Sequence, residues 1–385
     1  MFTYSDFISP YPELRSRHSS KWRRFEPDVL PMHVAEMDYV IAPNIQRVLI
    51  DFVQRSDLGY LGPIPEMPAA FSEFAMSRWG WKVDPAQVRI ATDVAVGCVE
   101  IMRALGRPAD RVVINSPVYS SFYDWIKEVQ MEAQDVPLIP RDGTWKLDID
   151  GLRAAFESGA KFLLLCSPQN PVGRVHTAQE LGEIALLAKR FGVTVISDEI
   201  HAPLTFKSHQ FVPWLSVSET AREVGVAVTA ASKSFNLAGL KAAVFVSQNE
   251  SMQRRLQAVP AATHWRSSLL GGFAMAEAFA NSEDWLNTAI EQNASNFEVF
   301  ESAMRELLPS VPYWVPQAGY LAWMDLSSLN LGPNPAATIL ERGRVALVPG
   351  VDHGKGYEQF ARINFATHPE HIYKTIEVIR SLGKS

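Results

Sequence analysis

The stretch KFLLLCSPQNPVGRVHTAQELGEIALLAKRFGVTVISDEIH, residues 161–201, decides how the rest of this chain reads. Lys161-Phe-Leu-Leu-Leu-Cys166 is a continuous apolar run cut off by Ser-Pro, the pattern of a strand buried on both faces. Leu181, Ile184, Ala185 and Ala188 follow at i, i+3, i+4 and i+7, which predicts an amphipathic helix closing at Gly192. Val193-Thr-Val-Ile-Ser197 is β-branched and predicts a second strand. Strand, helix and strand in this order form the unit of a parallel sheet.

The same signals recur outside this stretch. Arg111-Val-Val-Ile-Asn115 follows a helical pattern from Val96 to Leu105, and Val224 to Thr229 and Ala242 to Ser247 repeat the strand signal. The predicted class is α/β, with a mostly parallel central sheet and helices on both faces. After about residue 280 the character changes. Trp285 to Leu308 reads as a long helix, Gly319 to Asp325 and Phe360 to Phe365 as strands, and Pro369 to Leu382 as a closing helix. The expected division is a large domain over 48–280 and a smaller α+β domain built from 1–47 and 281–385.

Composition excludes several classes. With 47% hydrophobic and 20% charged residues in 385, a sizeable core can form and wholesale disorder is excluded. Thirty-six Lys and Arg against 42 Asp and Glu leave −6, no global basic field for nucleic acid or anionic lipid. The two cysteines, Cys98 and Cys166, lie too far apart in sequence for a CxxC site and make no disulfide framework, which fits a reducing cytoplasm. No basic segment followed by an apolar run opens the chain. No apolar stretch reaches the roughly 18 residues of a membrane helix. A cytoplasmic protein acting on a small molecule, without nucleic-acid or membrane partners, is expected.

In open α/β sheets ligands gather outside the carboxyl ends of the strands. Ser167-Pro-Gln-Asn170-Pro-Val-Gly173 follows the first strand, Asp198-Glu199-Ile200-His201 ends the second, and Ser232-Lys233-Ser-Phe-Asn236 follows the third. Each alone reads as a turn, a helix cap or a surface lysine. Together they supply an amide, a carboxylate and a lysine on one rim. Pyridoxal phosphate needs these: a lysine for the Schiff base, a carboxylate to keep the pyridine nitrogen protonated, and a donor to the phenolic oxygen. Lys233, Asp198 and Asn170 match the three roles. Thr92 or Asp93 is a candidate N-cap, and the N–H groups of Val94 and Ala95 then either start an ordinary capped helix or cradle a phosphate.

Other candidates carry less. His368-x-x-His371 has the spacing of a metal pair, but Pro369 and the absence of a third ligand favour a solvated helix cap, and no metal site is expected. Gly350 to Gly356 lacks the Lys-Ser ending of a P-loop and reads as a flexible loop. Trp79-Gly-Trp81 reads as core.

The chain resembles the fold-type I pyridoxal-phosphate enzymes of the class I/II aminotransferase superfamily. Within them it is most similar to the MalY/PatB branch of cystathionine β-lyases, or C–S lyases. The likeness covers nearly the whole chain. It runs through Ser20-Lys-Trp22, Leu30-Pro-Met-His-Val-Ala-Glu-Met-Asp38, Gly59-Tyr60, Ser116-Pro-Val-Tyr119, Cys166 to Gly173, Ser197 to His201, Ala231 to Gly239 and Arg362-Ile-Asn364.

The resemblance implies an aspartate aminotransferase-like fold and a set of roles. Lys233 would carry the cofactor and move the Cα proton, Asp198 would pair with the pyridinium, and Asn170 would donate to the phenolic oxygen. Tyr119 would stack on one ring face, unless it only caps the core, and Ile200 would pack on the other. Ser232 and Lys241 would reach the phosphate. Lys241 stands eight residues after Lys233, where many relatives carry arginine. Arg362, with Asn170, would clamp the substrate carboxylate. Tyr60 would reach the phosphate of a neighbouring subunit, which implies a homodimer with shared active sites.

Two departures stand out. Ala230 replaces a frequent serine, so one phosphate contact is expected to be missing or moved. His33 replaces a frequent tryptophan in a segment that borders the substrate side chain, with Tyr119 nearby. The implied activity is β-elimination from L-cystathionine or another S-substituted L-cysteine, giving thiol, pyruvate and ammonia. The alternatives are an aminotransferase on the same residues and a regulatory binding protein on the same fold.

Overall fold

The computed structural model describes residues 7–383. Seven strands form the central sheet: β1 Val88–Ala91, β2 Arg111–Ile114, β3 Glu132–Asp135, β4 Phe162–Cys166, β5 Thr194–Asp198, β6 Gly225–Thr229 and β7 Ala243–Val246. They lie side by side in the order β1-β7-β6-β5-β4-β2-β3. Strands β4, β5 and β6 are buried at every residue. Their side chains alternate between two cores. Leu163, Leu165 and Val195 enter one, and Phe162, Leu164, Ile196 and Val226 enter the other. Each such side chain contributes roughly 1.5–3 kcal/mol on burial, which is why the central runs are apolar without a break.

Helix α1, Val94–Leu105, follows β1, and helix α2, Ala178–Phe191, crosses from β4 to β5. Thr177 and Glu180 close a reciprocal cap at the start of α2. Gly192 ends α2 with φ 69°, the left-handed conformation that glycine adopts without a Cβ clash.

Only β7 runs against its neighbours. Its first residues therefore face the rim on which β4, β5 and β6 end. Val224 is not in the strand as expected: it ends the helix Glu219–Val224, and β6 begins at Gly225. Strands β1 and β3 were not expected. In β3, Glu132, Ala133 and Asp135 are exposed, so this edge strand carries no apolar pattern.

A second sheet of β8 Leu321–Asp325, β9 Val348–Pro349 and β10 Phe360–Asn364 has the order β8-β10-β9, all antiparallel. The helices Glu283–Leu307 and Pro369–Leu382 pack against each other. Leu30–Pro31 pairs in parallel with Val345–Ala346, which ties the N-terminal segment to the C-terminal third.

Two loop readings are corrected. Residues Gly350–His353 form a 3-10 turn rather than a flexible loop. His353 Nδ1 donates to Val118 O at 2.8 Å while Val118 N donates to His353 O at 3.0 Å, so the turn is pinned from both sides. His371 is not a solvated cap: it is buried, 3.2 Å from Thr367 Oγ1, and His368 Nε2 donates to Ser9 O. Trp81 is core, with Trp79 packed against its edge. No helix among the described residues is long and apolar enough to cross a membrane.

Candidate active site

The ends of β1, β2, β4, β5 and β6 open onto one cavity of about 370 Å³. Asp198 is the last residue of β5 and Asn170 stands four residues past β4. Lys233 sits in the short helix Ala231–Ser234 directly after β6. All three line this cavity. The turn that carries Asn170 is fixed by Gly173. Gly173 has φ 65°, and a Cβ there would lie 2.4 Å from Pro316 Cβ.

Asp198 is buried, and its Oδ1 accepts from Ile200 N at 3.1 Å. No Lys or Arg stands within ion-pair distance of it among the described residues. Burial pushes its carboxyl up to about 7, against the pull of the Ile200 N–H and the Lys233 charge. This carboxylate lacks a cationic donor, which a protonated ring nitrogen would provide.

Lys233 Nζ donates to Ala35 O at 2.9 Å, and Tyr320 Oη donates to the same carbonyl at 3.1 Å. Burial, followed by the nearby Arg362 charge, lowers the Lys233 ammonium to about 8. That value leaves a fraction of the amine free near neutral pH.

Arg362 lies on β10 and is buried. Its Nη1 donates to Asn170 Oδ1 at 3.1 Å and its Nη2 to His33 O at 2.9 Å, while Nε has no partner. With the Asn170 oxygen taken, its amide nitrogen is the group left to donate. His33 is 4% exposed, and neither ring nitrogen has a partner. Burial, then Arg24, Lys21 and Arg362, lowers its imidazole to about 3, so the ring is neutral.

The other end of the cavity is rich in donors. Asp93 caps α1 by accepting from Val96 N at 2.8 Å, so the cap is Asp93 and not Thr92. The N–H groups of Val94 and Ala95 remain at the helix start. Lys241 Nζ is 3.0 Å from Asp93 Oδ2 at the same end, brought there by the reversed direction of β7. Ser232 lines the cavity too. Ala230 caps its helix with no side-chain bond, so nothing stands in for the expected serine at that position.

Tyr119 and Ile200 line the cavity, with Tyr119 edge-on to Trp125 at 5.7 Å. Tyr60 does not line it and is 96% exposed. The cavity also holds residues to which no role was assigned from sequence: Arg24, Trp125, Cys166, His201 and Asp352. Tyr320 was missed as well. Its signal was present in Gly319-Tyr320, at the edge of an expected strand. Arg24 and Asp352 sit in surface-like polar runs and had no such signal.

Residues 28–379 match the family model described as aminotransferase class I and II. The chain belongs to that family. It is 31% identical over 348 residues to cystathionine beta-lyase PatB of Bacillus subtilis, covering 88% of each chain. It is 29% identical over 370 residues to cystathionine beta-lyase of Corynebacterium glutamicum, covering 96% of this chain and 98% of that one. Among solved structures it is similar to cystalysin of Treponema denticola, which contains a pyridoxal 5'-phosphate cofactor. The TM-score is 0.92 at 25% identity, over 98% of each chain. The fold is the aspartate aminotransferase-like fold type I.

Proposed function

We propose that the chain is a pyridoxal phosphate-dependent C–S β-lyase that converts L-cystathionine or other S-substituted L-cysteines into thiol, pyruvate and ammonia. The observation that carries this reading is the meeting of Lys233, Asp198, Asn170 and Arg362 in one cavity. The names of the PatB and Corynebacterium relatives support the choice of reaction.

The donor set fits the cofactor. Asp198 would meet the ring nitrogen, the Asn170 amide its phenolic oxygen, and Tyr119 and Ile200 its faces. Val94 N–H, Ala95 N–H, Ser232 and Lys241 would take the phosphate. When bound, the group supplies a carbonyl for the substrate amine and a ring that takes up the electron pair left at Cα.

The chain's own residues do the rest. Arg362, with Asn170 beside it, holds the substrate carboxylate through a fork that matches two oxygens. Lys233 Nζ takes the proton from the substrate Cα, a task suited to an amine near 8. Asp198 would place its carboxylate at the floor, where a protonated ring nitrogen would be its cationic partner. The arrangement keeps Arg362 and Lys233 at opposite functions: one cation binds, the other gives up charge.

A homodimer and a cytoplasmic location belong to the same proposal. Exposed Tyr60, with Leu58, Val53 and Ile50 nearby in sequence, is the apolar surface that supports a second subunit. The division into 48–280 and its two flanks is proposed as well, supported by the pairing of Leu30–Pro31 with Val345–Ala346.

The test is incubation of cofactor-loaded protein with an S-substituted cysteine. Pyruvate and free thiol without any keto acid support the lyase. Turnover that needs a keto-acid acceptor makes it a transaminase. No turnover with cofactor bound makes it a binding protein.

A further inference from the structure

The cavity is also lined by two exposed charges of opposite sign, Arg24 and Asp352, which mark its mouth. His33 links floor and mouth. Its carbonyl accepts from Arg362 Nη2 at 2.9 Å, and its ring meets Phe25 edge-on at 4.9 Å. The Arg24 guanidinium lies over the Phe25 ring at 5.8 Å. The order Arg362, His33, Phe25, Arg24 thus leads from the carboxylate clamp to the rim.

Asp352 also lines this cavity. It belongs to the turn after β9, whose Val348 pairs with Arg362. The reciprocal hydrogen bonds of His353 and Val118 anchor that turn beside Tyr119. Asp352 feels the Arg24 charge, yet the two form no ion pair among the described residues. Both charges are therefore left for something that enters the mouth. His33 adds a second sign of the same kind: a buried ring with two unpartnered nitrogens, whose lost hydrogen bonds a ligand would restore.

We propose that Arg24, His33 and Asp352 form a distal subsite that reads a second amino-acid head on the substrate. Arg24 takes its carboxylate, Asp352 takes its ammonium, and the His33 ring N–H donates to the sulfur, the one weak acceptor in the arm between. The subsite selects thioether or disulfide amino acids charged at both ends over cysteines with an uncharged S-alkyl arm. Opposite charges fixed at the rim penalise an apolar arm that leaves them unpaired and a singly charged arm that matches only one.

The subsite rests on the lyase reading, and the experiment separates the two. Holoenzyme, Arg24→Ala and Asp352→Asn are compared for kcat/KM on L-cystathionine and on S-ethyl-L-cysteine. The ratio of the two is expected to fall by about three- to tenfold in each variant, through KM. Binding of 2,7-diaminooctanedioate, the carbon isostere with no leaving group, is measured by calorimetry and is expected to weaken by the same factor. A ratio and an affinity within about twofold of wild type overturn the assignment of that residue. If wild-type protein releases pyruvate from neither substrate, the lyase reading fails, and the calorimetric comparison still decides the subsite.

Discussion

Arg362 Nη1 and Asn170 Oδ1 meet at 3.1 Å across 192 residues of sequence. The bond commits the Asn170 oxygen to the guanidinium and turns the amide N–H2 toward the cavity. In the proposed function a single side chain would thereby serve both the carboxylate clamp and the cofactor oxygen. Arg362→Lys removes the planar fork while keeping the charge. The expected result is a fall in kcat/KM of about 10–100-fold, mostly through KM, measured as pyruvate release over a substrate series. Unchanged KM would remove Arg362 from substrate binding.

Lys233→Ala deletes the amine proposed to move the Cα proton. Turnover should drop by at least about 10²–10⁴-fold. Far-UV circular dichroism should stay at the wild-type level, which separates lost chemistry from lost fold. A variant that still turns over at the native rate would take Lys233 out of the reaction.

Asp198 yields a pH prediction with opposite signs for the free and the loaded protein. Its folded value, about 7, lies above the ordinary 3.8 because burial disfavours the charge. The group's stabilising contribution is full below about pH 4 and is lost as pH rises through about 7. Cofactor-free Asp198→Asn should therefore lose less Tm than wild type between pH 5 and pH 8, while the loaded variant loses turnover. Calorimetry on stripped protein at the two pH values checks the first half, and parallel slopes would contradict it.

Lys241 pairs with Asp93 at 3.0 Å and its side chain is 56% exposed, so solvent screens it. Lys241→Ala should raise the dissociation constant of the cofactor by about three- to tenfold. Raising the salt should narrow the gap between variant and wild type. Fluorescence titration at two ionic strengths measures both, and equal affinity at low salt would place the phosphate elsewhere.

Strands β4, β5 and β6 were legible in the sequence because both of their faces are buried, which forces unbroken apolar runs. The polar residues at their ends could be read for the same reason: the apolar run stops where the rim begins. Edge strand β3, with Glu132 and Asp135 exposed, obeys no such constraint and was invisible. The placement of Lys241 depends on the reversed direction of β7, which no local pattern encodes. Arg24 and Asp352 reach the cavity through a ring contact with Phe25 and a hydrogen-bonded turn at His353. The first joins neighbours in the chain and the second bridges 235 residues, so neither leaves a pattern that places the charge at the cavity.

The carbonyl of Ala35 accepts from Lys233 Nζ and from Tyr320 Oη at once. The phenol is a second donor, so this oxygen keeps a partner whether or not the amine is on it. A Lys233 amine released from the cofactor would thus find a berth already moored from the far side by the buried Tyr320 phenol. Tyr320→Phe would cut that mooring while sparing every group in contact with the amino acid itself.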